Sequence, residues 1–451
     1  MHIGSTPDSK YKFLALTLAT VFTASAQTNL STYQGPGVES PGVGNIGTRS
    51  GEQVDLRVWG AVSGVYDTYT QPVSTDSTGK LVSTGGLYGI EASVGAYGVH
   101  SWRRAQLGLN YVGSLRHYTN NSFYDGSDHA LSLGYTLQQS RQWVFNLRGS
   151  AGTYSYNTGG VATSVSSDVN AAVTPSLGLF DTRTYFLDSS AYVTWMPTPR
   201  TSYTFGGSGN KIIYRTNALA DLNGYTLSGN INHIATRNTS VGVSYAHTHY
   251  GYPNFFGATD INTFEGTFGA AFSRVWTVTL RGGVFIAESV SARAVTLNPA
   301  LAALLRIPSV FFQPLYVKST NASGFAELKR QFRRASLSVQ YARAATPGNG
   351  VYLASRVDSA TGRLSYTAVR KLNFGIDGGY YTLTSLGADL QKDTVYSGGA
   401  GLSYELVHAV HLTTRYDARH QGLDLSGYKQ HGYRVTFGVA FSPGNIPLSL
   451  W

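Results

Sequence analysis

The residues of this sequence with the clearest potential for chemistry are His247 and His249, which lie two apart in the stretch AHTHYGY. Side chains two apart share one face of a β-strand, so this pair could bind a metal ion. A zinc site needs at least three protein ligands, and no third ligand follows at a suitable spacing. We therefore interpret both as rim histidines beside Tyr245 and Tyr250, and we expect neither a metal nor a cofactor.

Motifs for nucleophilic catalysis are not indicated either. A G-x-S-x-G nucleophile needs a sharp strand-to-helix turn, and the sequence offers no such context. The glycine pairs Gly206-Gly207 and Gly398-Gly399 lie inside alternating segments, where glycine permits curvature or close approach rather than phosphate binding. The sequence predicts that the protein is not an enzyme, so its charged residues need another explanation.

The composition limits that explanation. Only 13% of the 451 residues are charged, against about 25% in an ordinary soluble domain, so the surface cannot be a typical soluble one. Gly (52), Tyr (31) and Phe (20) are plentiful. The mean hydropathy is near zero, at -0.12, and no mature segment reaches the roughly 20 continuous apolar residues of a membrane helix. Any membrane character must be spread along the chain in alternation.

The N-terminus has the pattern of a secretory signal. Lys10 and Lys12 precede the apolar run FLALTLATVF, and Ala24-Ser25-Ala26 forms a small-x-small cleavage site. We expect residues 1–26 to be a signal peptide and residues 27–53, rich in Gly and Pro, to be an extended periplasmic segment. Despite its formal net charge of +10, an exported chain is not expected to bind nucleic acid.

From Val54 to Phe441 apolar residues alternate with small or polar ones, as in strands with one face against an apolar phase. The pattern is clean in the stretch Leu131–Leu137 and in the last strand, YRVTFGVAF. Division at the turns predicts an all-β protein of about 18 strands, within a range of 16–18.

The connections between these strands alternate in length. Short turns lie within SWRRA, QSRQW, TPRTS, TRNTS, SRVWT, FRRAS, VRKLN and VHAVH, and the intervening connections, such as 71–85, 157–183 and 291–320, are long. All short turns therefore lie at one end of the sheet and all long connections at the other, which is the asymmetry of an outer-membrane barrel. Such a barrel leaves no open sheet edge in hydrocarbon, where all backbone groups must be paired.

These residues resemble the transmembrane β-barrels of Gram-negative outer membranes. The resemblance covers residues 54–442 and rests on the alternation and on the last strand with its aromatic residues. It implies an antiparallel up-and-down barrel with short periplasmic turns and long extracellular loops, in contact with outer-membrane lipid and inserted by the barrel-assembly machinery. The chain differs from the family's usual ending, because a C-terminal tail, residues 443–451, follows the last strand; we expect it to lie in the periplasm.

If the apolar series faces lipid, the opposite series lines the lumen and carries the charges. This alternation predicts a lumen lined by charges of both signs with a small excess of basic residues, which favours anions or neutral sugars. The charges could equally pair across neighbouring strands and stiffen the wall. We expect the last strand to bring Arg415, Asp417, Arg419 and Arg434 close to Asp55 and Arg57. The predicted lumen-lining residues are Arg57, Arg104, Arg116, Arg148, Arg281, Lys329, Arg363, Arg415, Arg419, Arg434, Asp55, Glu91, Glu265, Asp377 and Asp417, with Asp188, Glu327 and Glu405 on the same phase.

The connection 291–320 is unusually apolar for an extracellular loop. Asn298 can cap a helix, Pro299 suits its first turn, and Pro308 would end it. We expect this loop to fold into the barrel mouth and narrow the pore, with Asn298, Pro299, Arg306, Phe311 and Phe312 as constriction residues. The alternatives are a contact with a neighbouring protomer or a self-packed lid outside the membrane.

The sequence thus predicts a porin-like channel for small hydrophilic solutes in the outer membrane, and a homo-oligomer is compatible with it. Two other interpretations stay open. One is an outer-membrane component of exopolysaccharide export, with a basic lumen that guides an acidic polymer. The other is a plugged structural or adhesive barrel whose long loops make the contacts.

Overall fold

The fold was examined in a computed structural model of the chain. The structure describes residues 56–68, 73–75, 81–83, 85–119, 125–154, 183–217, 219–296, 310–332, 335–348, 350, 353–369, 371–386, 392–407, 409–423, 428–442 and 445–446. The predicted signal peptide and the segment 27–53 lie outside these residues. Within the described residues, no helix is long and apolar enough to cross a membrane.

All regular elements of the described residues are strands. They are β1 (Leu56–Asp67), β2 (Val73–Thr75), β3 (Leu81–Ser83), β4 (Leu87–Ser101), β5 (Ala105–Tyr118), β6 (Gly126–Gln138), β7 (Trp143–Tyr154), β8 (Thr184–Thr198), β9 (Thr201–Tyr214), β10 (Leu222–Thr236), β11 (Thr239–Gly251), β12 (Gly257–Ala271), β13 (Trp276–Thr296), β14 (Val310–Gln331), β15 (Ala335–Thr346), β16 (Ser355–Val369), β17 (Leu372–Ser385), β18 (Lys392–Val407), β19 (Val410–Leu423), β20 (Tyr428–Phe441) and β21 (Asn445–Ile446).

These strands form a closed antiparallel barrel. Each barrel strand pairs with its neighbour in the chain, β1 pairs with β4, and β20 returns to pair with β1. The ring therefore consists of β1 and β4–β20, which is 18 strands, while β2 and β3 form a small separate hairpin. The predicted all-β, up-and-down barrel of about 18 strands is confirmed.

The short turns lie together at one end of the barrel, where β1 begins and β20 ends. They connect β4 to β5, β6 to β7, and so on to β18 and β19, as the sequence predicted. Two of them contain a non-glycine residue in the left-handed region, Lys371 (φ 66°) and Ala409 (φ 69°). The longer connections lie at the opposite end, which we call the loop end.

The outer face of the wall is apolar. Along β20, Phe437 and Val439 are about half exposed, while the alternate residues Thr436 and Ala440 are buried. At the short-turn end, the outward rings of Trp143, Trp195 and Tyr203 stack across three strands, with centroids 6.1 and 5.3 Å apart.

A second group of outward tyrosines lies towards the loop end. Tyr66 packs against Tyr88 and Tyr433 at 4.7 and 5.7 Å. Two aromatic groups that flank an apolar band are typical of a wall that spans a bilayer.

The hairpin β13–β14 differs from the prediction for residues 291–320. Pairing between the two strands continues up to Thr296 and Val310, whereas β12 stops pairing with β13 at Ser291. Pairing of β14 with β15 ends at Gly324. Residues 291–296 and 310–315 are therefore a two-stranded ribbon beyond the neighbouring strands, residues 316–320 continue β14, and the prediction of 291–320 as an irregular loop was wrong for these residues. Alternation was hidden there because prolines interrupt the apolar run.

The C-terminal tail also contains more structure than predicted. After β20, Asn445 and Ile446 pair with Arg57 and Leu56 of β1, so the ladder resumes beyond Pro443-Gly444. The two residues of β21 extend the pairing of β1 towards its N-terminus. The remainder of the tail, 447–451, lies outside the described residues.

The seam between β1 and β20 requires a glycine. Gly438 lies opposite Ser63, and a Cβ atom at this position would overlap the Val62 carbonyl oxygen and the Ser63 backbone. Gly64 lies on the same seam, but a Cβ there would meet the Phe437 oxygen at an ordinary 3.8 Å.

We predict that Gly438→Ala weakens the seam, whereas Gly64→Ala does not. Overpacking of this kind costs about 1–3 kcal/mol in the free energy of unfolding, which urea unfolding of the detergent-folded barrel measures. Equal stability of the two variants would show that the seam adjusts freely to a side chain.

Candidate functional site

Most of the predicted lumen residues lie on the inner face of the wall. In each case the residues next to it in the chain are on the outer face, as Leu147 is for Arg148 and Leu280 is for Arg281. The predicted residues on the inner face are Arg116, Arg148, Arg281, Lys329, Arg363, Arg415, Arg419, Arg434, Glu91, Glu265, Asp377 and Asp417, with Asp188, Glu327 and Glu405.

Three predicted residues are not in this set. Arg104 is exposed in the turn between β4 and β5, so its prediction as a lumen residue was wrong; β5 begins only at Ala105, after this arginine. Asp55 and the side chain of Arg57 lie outside the described residues.

A buried group of charges, which we call the seam cluster, joins the first and last strands of the barrel. It consists of Asp67, Glu91, Arg116, Asp128 and Arg434. Glu91 accepts a hydrogen bond from Arg434 and lies 3.8 Å from Nε of Arg116, which also contacts Asp128. Glu91 is only 3% exposed, so these ions stabilise one another away from bulk water.

The seam cluster does not lie where the sequence predicted. Arg434 pairs with Asp67 at the loop end of β1, whereas Arg57 at the other end pairs with Asn445. The prediction that the charges of the last strands gather at Asp55 and Arg57 was therefore wrong. The antiparallel register sets this result, because Arg434 precedes the end of β20 by half the strand.

A second ionic group lies on β17 and β19. The guanidinium of Arg415 contacts Asp377 at 2.9 Å and Asp417 at 2.6 Å. Next to it, Arg419 donates to Gln421 at 3.2 Å, and Gln421 donates to Asp393 at 3.2 Å. With the seam cluster, these inner residues of β17–β20, β1 and β4–β6 form a charged wall.

The predicted basic surplus is not present in the described lumen. The sequence phase missed Asp67, Asp128 and Asp393, which lie directly beside the arginines. The inward acidic side chains of the described strands are at least as numerous as the basic ones: Asp67, Glu91, Asp128, Asp188, Glu265, Glu327, Asp377, Asp393, Glu405 and Asp417, against Arg116, Arg148, Arg281, Lys329, Arg363, Arg415, Arg419 and Arg434.

The opposite part of the lumen is uncharged for most of its area. We call the inner face of β8–β12 the hydroxyl wall, because hydroxyl and amide side chains recur there in rows across the strands. Hydrogen bonds at 3.0 Å join Thr194 to Thr204 and Thr226 to Thr248. The cross-strand partners form one row of Thr194, Thr204, Asn230, Ser244 and Glu265, and a second row of Ser190, Ser208, Thr226 and Thr248.

A cavity of about 360 Å³ lies against the hydroxyl wall. Arg148, Glu265, Arg281 and Arg343 line it together with most residues of the rows just described. The guanidinium of Arg281 stacks over the Phe325 ring at 4.4 Å. The lining therefore combines hydroxyl and amide groups with four charged residues and with apolar side chains such as Ile261 and Phe285.

An apolar group, which we call the cap, closes over this cavity towards the loop end. Its strand residues include Tyr250, Ile261 and Phe285, which also line the cavity, and all three are at most 2% exposed. Connections from distant parts of the ring complete it. The cap comprises Ala220, Leu222, Tyr250, Tyr252, Ile261, Phe285, Ala287, Ala354 and Leu386.

Hydrogen bonds join the connections that form the cap. The Ala220 amide donates to the Gly350 carbonyl at 2.9 Å, and the Leu386 amide donates to the Ala354 carbonyl at 3.0 Å. The Tyr252 hydroxyl donates to the Pro347 carbonyl at 3.1 Å. Burial raises the pKa of Tyr252 well above its usual value, so its hydroxyl stays protonated as a donor.

The structure does not test the predicted constriction residues. Asn298, Pro299 and Arg306 lie outside the described residues, as do the side chains of Phe311 and Phe312, whose backbone belongs to β14. Narrowing of the pore by this loop stays a prediction. Within the described chain the mouth is covered by the cap, which the sequence did not reveal, since Ala354 and Leu386 lie in short connections without any period.

His247 and His249 lie on the outer face of β11, on the phase of Val241 and Val243. The His249 ring nitrogen lies 2.8 Å from Asp260, and His247 lies 3.1 Å from Asn262. No group of three His, Cys, Asp or Glu residues suited to a metal ion occurs within the part of the chain that the structure describes.

Comparisons with known proteins give matches only among solved structures. No protein-family model and no curated protein matches the chain. OccAB4 of Acinetobacter baumannii is 10% identical, with 87% of this chain and 98% of that chain covered and a TM-score of 0.38. The outer membrane protein opdK of Pseudomonas aeruginosa is 10% identical, over 86% and 98%, with a TM-score of 0.40. A BenF-like porin from Pseudomonas fluorescens Pf-5 is 9% identical, over 86% and 99%, with a TM-score of 0.41. These scores are low, and the fold assignment rests on the strand pairing described above.

We predict that Arg434→Leu lowers the free energy of unfolding by about 3 kcal/mol, because it removes the guanidinium that bonds Glu91 and lies opposite Asp67 in a buried site. Urea unfolding followed by tryptophan fluorescence measures the change. The control is Arg104→Leu in the exposed turn, which should change stability by less than about 0.5 kcal/mol. An equally small effect at Arg434 would mean that the seam cluster contributes nothing to closure.

We also predict that Tyr252→Ala loosens the cap and raises single-channel conductance, since it removes both apolar packing and the hydrogen bond to Pro347. Phe255→Ala is the matched control, because Phe255 lies in the same connection but is 41% exposed. Identical conductance of the two variants would show that the cap does not limit ion flow.

Proposed function

We propose that the protein is a porin-like channel of the bacterial outer membrane that lets small hydrophilic solutes diffuse through its lumen. The observation that carries this proposal is the polarity of the closed barrel, apolar on its outer face and polar within. A soluble barrel would need the reverse arrangement. No catalytic function is part of the proposal.

The outer face supports the membrane location. The stacked rings of Trp143, Trp195 and Tyr203 suit one interface, and the tyrosines around Tyr66 suit the other. The short turns then lie in the periplasm, and the β13–β14 ribbon extends on the extracellular side. Outer-membrane lipid and the barrel-assembly machinery are the partners that this location implies.

The lumen supports a solute that is polar rather than strongly charged. The charges of Arg415 and Arg434 are engaged with carboxylates on neighbouring strands. Little net field remains to draw an anion or to guide an acidic polymer, so the structure offers no support for exopolysaccharide export. The proposal also includes narrowing of the pore by residues 297–309, in addition to the narrowing by the cap.

A second candidate function is a structural or adhesive barrel with an occluded interior. The cap favours it, because its residues Phe285 and Ala287 are 0% and 1% exposed on the lumen side of the wall. In this case the loop end and the β13–β14 ribbon would make contacts with partners, and the interior would carry no solute.

The experiment that separates the two candidates is the ion current of the purified, folded barrel in a planar bilayer. The channel proposal predicts stepwise openings that small polyethylene glycols block according to size. Membranes that receive detergent alone are the control. Folded protein that inserts but stays silent, and that gives no osmotic swelling in liposomes, would overturn the channel and favour the occluded barrel.

A further inference from the structure

The cavity beneath the cap has the chemistry of a solute-binding site. We infer that it binds a neutral, polyhydroxylated solute, a mono- or disaccharide, on its way through the lumen. This inference rests on the proposed channel function and names the solute class that the channel would select.

The first argument is the lattice of hydrogen-bonding groups on the hydroxyl wall. Thr204, Asn230 and Ser244 are consecutive cross-strand partners, so neighbours in the row are about 5 Å apart. The two rows are four residues apart along each strand, which is about 13 Å, and Ser228 lies between them on β10. Hydroxyls both donate and accept, and amides offer one group of each kind. Such a surface matches a solute with many hydroxyl groups in varied orientations.

The second argument is the character of the charged groups at the margin of the cavity. Arg148 and Arg281 present planar donors, and Glu265 presents a planar acceptor. Each of them can bond two adjacent hydroxyl groups of a sugar, so their role does not require a charged ligand. Tyr192 lines the same cavity and offers a ring face for the C–H groups of a sugar.

The third argument selects a neutral sugar over an acidic one. The arginines of the charged wall are bound to Asp377, Asp417 and Glu91, and the described lumen contains at least as many acidic as basic side chains. In the cavity itself, Arg343 is bonded to Asp358, and Glu265 accompanies Arg148 and Arg281, so a carboxylate there would gain only a small net field. The binding contribution must come from hydrogen bonds.

The fourth argument is size. The cavity volume of about 360 Å³ lies at the lower end of the roughly 300–1,000 Å³ that ligand pockets occupy. Its roof, formed by Tyr250, Ile261 and Phe285, closes it towards the loop end. A mono- or disaccharide fits these limits, whereas a continuous polymer chain does not.

The test is block of the ion current by maltose, with the full-length mature protein in a planar bilayer. We expect a saturable, concentration-dependent decrease of the current. In the double variant Thr204→Val with Asn230→Ala, the half-blocking concentration should rise about tenfold, as expected for two lost hydrogen bonds. Thr413→Val is the matched control, because Thr413 also lies on the inner face but belongs to the charged wall, outside the cavity.

The outcomes separate this inference from the proposed function. A normal current that maltose does not block, or a block that the double variant does not weaken, overturns the inference and leaves the channel intact. A stronger block by glucuronate than by glucose overturns its neutral character. If no current is found, the channel fails, and calorimetric titration of the detergent-folded protein with maltose decides whether the binding site stands. Unheated gel migration, compared with wild type, shows that each variant is folded.

Discussion

The need to pair every backbone amide and carbonyl governs this structure. In an apolar phase an open sheet edge is costly, because no water can satisfy its hydrogen bonds. The chain meets this requirement by bringing β20 back to β1, so the register of one seam, from Gly60 with Phe441 to Asp67 with Arg434, fixes the whole ring. The placement of charges, glycines and outward rings follows from that register.

Closure also explains why the interior has two different walls. The arginines of the last strands and the acids of the first ones meet only where the ends of the chain meet, so the charges concentrate there. The strands on the opposite side of the ring, β8–β12, have Thr, Ser and Asn on their inner face. A solute in the lumen therefore contacts one side that is rich in hydrogen-bonding groups and another whose ions are already bound to each other.

The sequence predicted what depends on local order. Alternation such as that of Leu131 and Leu133 sets which face is outward, and the turn residues set where each hairpin reverses. It could not predict the partner of Arg434, because the register of a barrel depends on its overall shear, which no single strand encodes. Contacts such as those of Ala220 with Gly350 join connections far apart in the chain, so the cap has no signal in the pattern. Pro314 lies inside β14, which tolerates it because pairing with β15 ends at Gly324, below that position.

The seam cluster has a consequence for the order in which the molecule is made. Glu91 and Arg434 are separated by 343 positions in the chain, so they meet only after the last strand has been synthesised and docked. Until then Arg434 lies on the free edge of β20, and Glu91 on β4 has only Arg116 beside it, so burial of the cluster is completed only when the seam closes. A last strand docked in another register would leave Arg434 away from Glu91 and Asp67. The charges near the seam serve as a check on correct assembly.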